Sequence, residues 1–162
     1  MLIERFLPSD WAAVREIYLE GIATGNATFE TAASEWVDWD TAHLPSSRFV
    51  AKSGGAMAGW AALSPVSKRH VYRGVAEVSV YVAARARGRG VGPKLLAELI
   101  RGSEAAGIWT LQAGIFPENA ASIRMHAKAG FRVLGIRERV GCMNGVWRNV
   151  TLLERRSSVV GV

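Results

Sequence analysis

The sequence predicts an α/β fold: a single domain whose mixed central sheet of about six to seven strands is flanked by helices. Three observations predict it. β-Branched runs of strand length alternate with stretches of helical apolar periodicity. No Pro/Gly/Ser-rich linker, repeat or low-complexity segment divides the 162 residues. One β-branched run, residues 75–82, passes through a glycine-rich turn straight into an amphipathic stretch, a strand–turn–helix unit typical of α/β domains.

Residues 2–5 read as the first strand. Pro8-Ser9-Asp10 supplies a helix start, after which Trp11, Val14, Ile17, Tyr18 and Ile22 recur at helical spacing until Gly25-Asn26. Residues 27–31 follow as a loop, and residues 33–44 read as a short second helix carrying Trp36 and Trp39. Residues 48–52 and 57–63 read as two strands joined by a hairpin at Ser53-Gly54-Gly55. After the strand at 75–82 a helix is expected from about Gly90 to Ala106, with Val91, Leu95, Leu96, Leu99 and Ile100 on its apolar face and Gly107 as its stop. Residues 108–115 read as a strand, and residues 116–119 turn into another helix ending at Gly130. Residues 131–136 and 147–153 complete the strands, and residues 157–162 are expected to fray.

Composition narrows the class. The chain is 49% hydrophobic and 21% charged, ordinary for a soluble globular protein, and no apolar run approaches the ~20 residues that span a bilayer. The stretch Met1-Leu2-Ile3-Glu4-Arg5 lacks the features of a signal peptide. Cys142 stands alone, which excludes an intrachain disulfide, fits a cytoplasmic location and reads as a structural thiol. The net charge of +6 suits either a nucleic-acid or membrane surface or a polyanionic small ligand. Basic residues concentrate at 85–101 beside the glycine turn, which favours the small anion; no membrane and no specific nucleic-acid partner is expected.

Gly88-x-Gly90-x-Gly92 matches neither the dinucleotide fingerprint nor the P-loop. A strand feeding a glycine turn and a helix start aims backbone N–H groups at the positive end of a helix dipole, and such a cradle binds phosphate. The competing reading is a tight turn with solvated arginines. Glu77 is costly inside its β-branched strand unless it faces a wet cavity; otherwise it is a surface residue on the strand's polar face. The unperturbed pKa of an imidazole suits His126 to proton transfer; otherwise it packs one helix face. His43 and His70 have no partners at metal-ligand spacing, so no metal is predicted.

Arg87-x-x-Gly90-x-Gly92 behind Val80-Tyr81-Val82 resembles the acyl-CoA pyrophosphate loop of the GCN5-related N-acetyltransferases. Residues 119–131, which open on Asn119 and close on Gly130-Phe131, resemble that family's second cofactor segment, and the agreement spans residues 3–153. Within the family the chain looks most like the phosphinothricin acetyltransferase group. That likeness rests on Ile17-Tyr18, Ala27-Thr28-Phe29-Glu30-Thr31, Tyr72-Arg73-Gly74 and Glu77-x-Ser79-Val80-Tyr81-Val82, extended by Ser122-Ile123-x-x-His126, Val140-Gly141 and Trp147. Val78 stands where many relatives carry histidine or serine, and Asn149 where aspartate is usual.

The resemblance implies an N-acetyltransferase domain over residues 1–156 with acetyl-CoA as co-substrate. It assigns Arg87, Gly88, Arg89, Gly90, Val91 and Gly92 to the pyrophosphate, and Val80, Tyr81 and Val82 to the pantetheine arm and thioester carbonyl. Asn119 would cap its helix and touch pantetheine. Glu77 would be the base and His126, seven residues beyond Asn119, the acid. Phe29, Glu30, Tyr72 and Arg73 would line the acceptor site, Arg73 pairing with a carboxylate. Arg73 read without the family is a solvated loop residue, and Tyr72 and Trp147 are either pocket walls or core. The implied reaction is direct attack, in a ternary complex, by the α-amine of a small amino acid or analogue. A protein or aminoacyl-tRNA acetyltransferase and a non-catalytic acyl-CoA sensor are the alternatives. Relatives commonly pair, so a homodimer is expected.

Overall fold

The structure, a computed structural model, describes residues 1–162. Seven strands form one sheet: β1 (Leu2–Arg5), β2 (Arg48–Ser53), β3 (Ala56–Pro65), β4 (Val75–Val82), β5 (Thr110–Ile115), β6 (Arg132–Met143) and β7 (Val146–Arg156). Four helices accompany them: α1 (Trp11–Ala23), α2 (Trp36–Ala42), α3 (Val91–Ala105) and α4 (Ala120–Lys128). The spatial order is β1-β2-β3-β4-β5-β7-β6. Only β4 and β5 run parallel, which makes the sheet mixed as the sequence predicts.

The two faces of the sheet are read from β3, where consecutive side chains point oppositely. Gly59 lies against Leu95 and Val91 of α3, and Leu95, Leu96 and Leu99 are fully buried there. Burial of each such leucine contributes about 1.5–3 kcal/mol. Trp60 points the other way, its ring centroid 5.9 Å from Tyr18 of α1 and 5.7 Å from Trp39 of α2. Trp60 faces Tyr81 across the β3–β4 ladder, stacked at 4.8 Å. Alternation along β4 therefore places Glu77, Ser79 and Tyr81 on the α1/α2 face and Val78, Val80 and Val82 on the α3 face.

The observed elements differ from the sequence reading at several ends. The second helix is shorter than 33–44, because Glu35 is extended and caps Trp36–Ala42. β6 runs seven residues past its predicted end, to a tight turn at Asn144-Gly145 with positive φ at both positions. The charged run Arg137-Glu138-Arg139 conceals that strand, because β6 is the sheet edge and its first nine residues are exposed whichever face they take. Trp147 and Cys142 are exposed on the same hairpin; neither is core. The terminal segment is tied down rather than frayed. Ser157 is buried, its Oγ donates to Glu104 at 3.0 Å, and Arg156 donates to the carbonyls of Val160 and Gly161.

Candidate active site

β4 pairs with β5 only over Val75–Glu77. Beyond Glu77 the two strands part, and the β5-side backbone groups of residues 78–82 face open space. A cleft of about 1360 Å³ fills this opening. It reaches from the start of α3, across the free edge of β4, to the loop after α1 and the inner faces of β5, β6 and β7.

The end of the cleft at α3 is built by the turn. Ala84–Ala86 forms a single 3-10 turn, and Gly88 and Gly90 then adopt φ of 73° and 76°. This left-handed backbone costs a residue with a Cβ about 1–2 kcal/mol. Gly90 is the N-cap of α3 and no side chain caps the helix, so the N–H groups of Val91 and Gly92 are left for another acceptor. A Cβ at Gly88 or Gly90 would meet nothing within 4 Å. Arg87 lines this end and its Nε donates to the Val82 carbonyl at 3.4 Å. Arg89 does not line the cleft. If this turn holds the anion that its sequence implies, Gly90→Val weakens that binding by tenfold or more, by strain and by filling the space; isothermal titration calorimetry measures it.

Asn119 opens α4 on the opposite wall, its Oδ1 accepting from the Ser122 N–H at 3.3 Å as a helix cap. Two turns on, His126 is buried within the cleft wall, its ring edge-on to Phe131 at 5.1 Å. Its Nδ1 lies 2.8 Å from the Ser122 carbonyl, and a proton there makes the bond. Nε2 is buried without a partner, so in the neutral ring it carries a lone pair and accepts. Burial pushes the His126 pKa below its ordinary value, against a small opposing pull from the Ser122 carbonyl. Burial does the same to His43, which stacks on Trp39 at 4.1 Å.

These two histidines carry a stability consequence. Folding favours their neutral forms, so their contribution is complete above the ordinary value of 6.5 and is lost as pH falls below it. The unfolding midpoint is expected to hold from pH 8 to 7 and to drop below about 6.5, with a shallower drop in His126→Gln. An identical acid limb in that variant would refute the attribution.

Where β4 parts from β5, Glu77 is half-buried on the cleft wall and its Oε2 accepts from Gln112 Nε2 at 3.1 Å. It therefore faces the wet cavity rather than bulk solvent. Phe29 and Glu30 line the same space; Phe29 packs edge-on against Phe116 at 4.8 Å and lies over Gly141. Tyr18 and Tyr81 line the same space, and burial raises the pKa of both.

Tyr72 and Arg73 fall outside the cleft, in contrast to their expected role. Both are exposed in the β3–β4 loop. The Arg73 guanidinium lies over Trp109 at 5.2 Å and donates to the His70 carbonyl, and Arg69 covers the Tyr72 ring. The arginine that lines the cleft on the side of β6 and β7 is Arg137, which lies beyond the predicted end of β6. Val78 is nearly buried on the far face from Glu77, and Asn149 accepts from the Arg139 N–H at 2.8 Å, holding the kink in β6. No group of three or more His, Cys, Asp or Glu gathers into a metal site, and no helix is long and apolar enough to cross a membrane.

A statistical model of the Acetyltransferase (GNAT) family matches residues 11–131. The L-methionine sulfoximine/L-methionine sulfone acetyltransferase of Salmonella typhimurium is 33% identical over 158 residues, covering 90% of this chain and 88% of that protein. A crystal structure of a GNAT superfamily phosphinothricin acetyltransferase from Sinorhizobium meliloti, in complex with AcCoA, superposes with a TM-score of 0.89 at 27% identity, covering 99% of this chain and 90% of that one. The ribosomal-protein-alanine N-acetyltransferase from Brucella melitensis superposes with a TM-score of 0.88 at 30% identity, covering 97% and 100%.

Proposed function

Since the chain belongs to the Acetyltransferase (GNAT) family, we propose that it acetylates the α-amine of a small amino acid or amino-acid analogue. The coarser activity is that of an acetyltransferase using acetyl-CoA. The single observation that carries the finer reading is the parting of β4 from β5 immediately after Glu77, which sets a carboxylate beside a free strand edge in a cleft of its own.

The residues present fit acetyl-CoA. The uncapped start of α3 and the open space over Gly88 and Gly90 suit the pyrophosphate, with Arg87 adding mobile charge. The free edge of Val80, Tyr81 and Val82 suits the pantetheine arm, with Asn119 facing it across the cleft. When bound, the cofactor supplies an acyl thioester. A backbone N–H of residues 80–82 then serves as donor to the charge developing on the carbonyl oxygen, a contact worth about 3 kcal/mol. Glu77 attracts the acceptor's ammonium and takes its proton, directly or through water, while Gln112 holds the carboxylate in place. His126 donates from Nε2 only as the imidazolium, which burial disfavours. A rate that depends on His126 as acid falls as pH rises past its lowered pKa; a kcat flat above pH 6.5 assigns that proton to solvent.

Arg137 supports an amino-acid acceptor. It sits opposite Val150 in the β6–β7 ladder, and Val150 and the Glu77 carboxylate flank the same space over Gly114, where a Cβ would stand 3.3 Å from one and 3.8 Å from the other. One wall thus offers an anion and a cation, and Arg137 joins none of the ion pairs of the fold. Arg137→Ala is expected to raise the acceptor KM about tenfold with little change in kcat, as removal of a uniform binding contact does. The reaction is tested by thiol release from acetyl-CoA in the presence of methionine sulfone, methionine sulfoximine or phosphinothricin. No turnover on any of the three, with acetyl-CoA binding intact, overturns the acceptor class. The likeness to a ribosomal-protein-alanine N-acetyltransferase favours one second reading, for which a peptide with N-terminal alanine is the discriminating substrate.

A further inference from the structure

Arg148 of β7 is remote from Glu77 in sequence and contributes no atom to the wall of the cleft. Its side chain is nonetheless only 12% exposed, a costly place for a guanidinium unless it is fully engaged. Its Nη1 donates to the Gly25 carbonyl at 2.8 Å. Nη2 donates to Asn26 Oδ1 at 2.7 Å and to Glu118 Oε2 at 3.3 Å. The guanidinium lies over the Phe116 ring, 4.1 Å from its centroid.

Those partners belong to the two halves of the site. Gly25 and Asn26 begin the loop that carries Thr28, Phe29 and Glu30 over the acceptor end. Phe116 and Glu118 form the turn that ends in Asn119, the cap of α4 on the donor end. Asn26 also receives Nδ2 of Asn119 on its backbone oxygen at 3.4 Å, and Phe29 packs edge-to-face with Phe116. The fork of an arginine fits this work, because one planar group meets three acceptors and a ring at once; an ammonium cannot.

We infer that Arg148 is a positioning residue that couples the donor and acceptor halves of the cleft, so that ordering of Asn119 by a bound acyl-CoA orders the loop bearing Phe29. The inference deepens the proposed acetyl transfer and rests on it for the identity of the donor. A coupling of this kind is reciprocal: whatever the donor does for acceptor affinity, the acceptor does for donor affinity.

The experiment compares the intact chain with Arg148→Lys and Arg148→Met. Hydrogen exchange is followed with and without acetyl-CoA, beside thermal unfolding and steady-state kinetics on methionine sulfone. The parent chain is expected to gain protection over residues 25–30 on adding acetyl-CoA. Both variants are expected to lose that gain while remaining folded, and to raise the acceptor KM tenfold or more with a smaller change in the acetyl-CoA dissociation constant. A folded variant that keeps the gain in protection and an unaltered acceptor KM overturns the inference. So does a loss of protection spread evenly over the whole chain, which marks a purely structural residue. Failure of methionine sulfone to turn over in the parent chain removes that acceptor alone, and the exchange measurement, which needs only the donor, still decides the inference. If either variant fails to fold, Glu118→Ala, which removes one acceptor from the fork and leaves the arginine, is read by the same exchange pattern and decides.

Discussion

Replacing Glu77 by glutamine is expected to lower kcat by roughly 10²–10⁴-fold, the span over which a positioned general base contributes. The substitution is nearly isosteric, and the new amide oxygen can still accept the hydrogen bond from Gln112 that the carboxylate now accepts at 3.1 Å. The wall of the cleft and the adjoining Gly114 are therefore undisturbed. What disappears is the negative charge that draws an ammonium and the lone pair that takes its proton. Acetyl-CoA affinity should stay within about twofold of the parent, because the donor end is built by the start of α3 and the free edge of β4. A quench-flow or thiol-release measurement of kcat, paired with calorimetric titration of acetyl-CoA, reads both halves. Unchanged kcat in a variant that binds the donor normally would remove Glu77 from the chemistry. Glu77→Asp separates charge from position. It keeps the carboxylate but withdraws it by one methylene, so an intermediate loss shows that placement matters as well as charge.

The donor end of this site was legible in the chain because it is local. Gly88, Gly90 and the uncapped helix start lie within a few residues of one another, and their geometry follows from backbone rules that the sequence alone invokes. The acceptor end is assembled from distant pieces. Arg148 meets Gly25 across 123 residues, and no periodicity or spacing announces such a contact. Tyr72 and Arg73 illustrate the converse. They precede the Glu77 strand closely enough to suggest a shared pocket, yet the β3–β4 loop turns them outward onto Arg69 and Trp109. Arg137 was hidden for another reason. An edge strand exposed on both faces has no need of apolar alternation, so a charged stretch within it reads as loop. The neutral, accepting state of His126 Nε2 depends on the Ser122 carbonyl one helical turn away and on burial, neither of which residue type reveals.

Gly59→Val sets local preference against packing and is expected to lose. Valine is among the best strand formers and glycine among the poorest, so β3 taken alone would gain from the change. A Cβ at this position would sit 2.7 Å from the Tyr81 carbonyl oxygen, 3.0 Å from Leu95 Cδ1 and 3.2 Å from Val91 Cγ1. The nearest of these is backbone and cannot swing aside, so β3 and β4 must separate or α3 must lift. Overpacking of this kind costs about 3 kcal/mol, which lowers the unfolding midpoint by about 6–12 °C in a chain of this size. The damage also reaches function, because the atoms that must move are those of the donor site. Tyr81 lies on the free edge of β4, and Val91 carries one of the uncapped N–H groups of α3. In the fraction that remains folded, acetyl-CoA is therefore expected to bind at least tenfold more weakly. The matching change at Gly135 of β6, where a Cβ would meet nothing within 4 Å, should leave both quantities unchanged. Calorimetric melting and titration of the two variants side by side decide the matter. Equal midpoints for the Gly59 and Gly135 variants would show that β3 and β4 have slack at this crossing, and that the close approach of Gly59 to the Tyr81 carbonyl does not hold the donor site in shape.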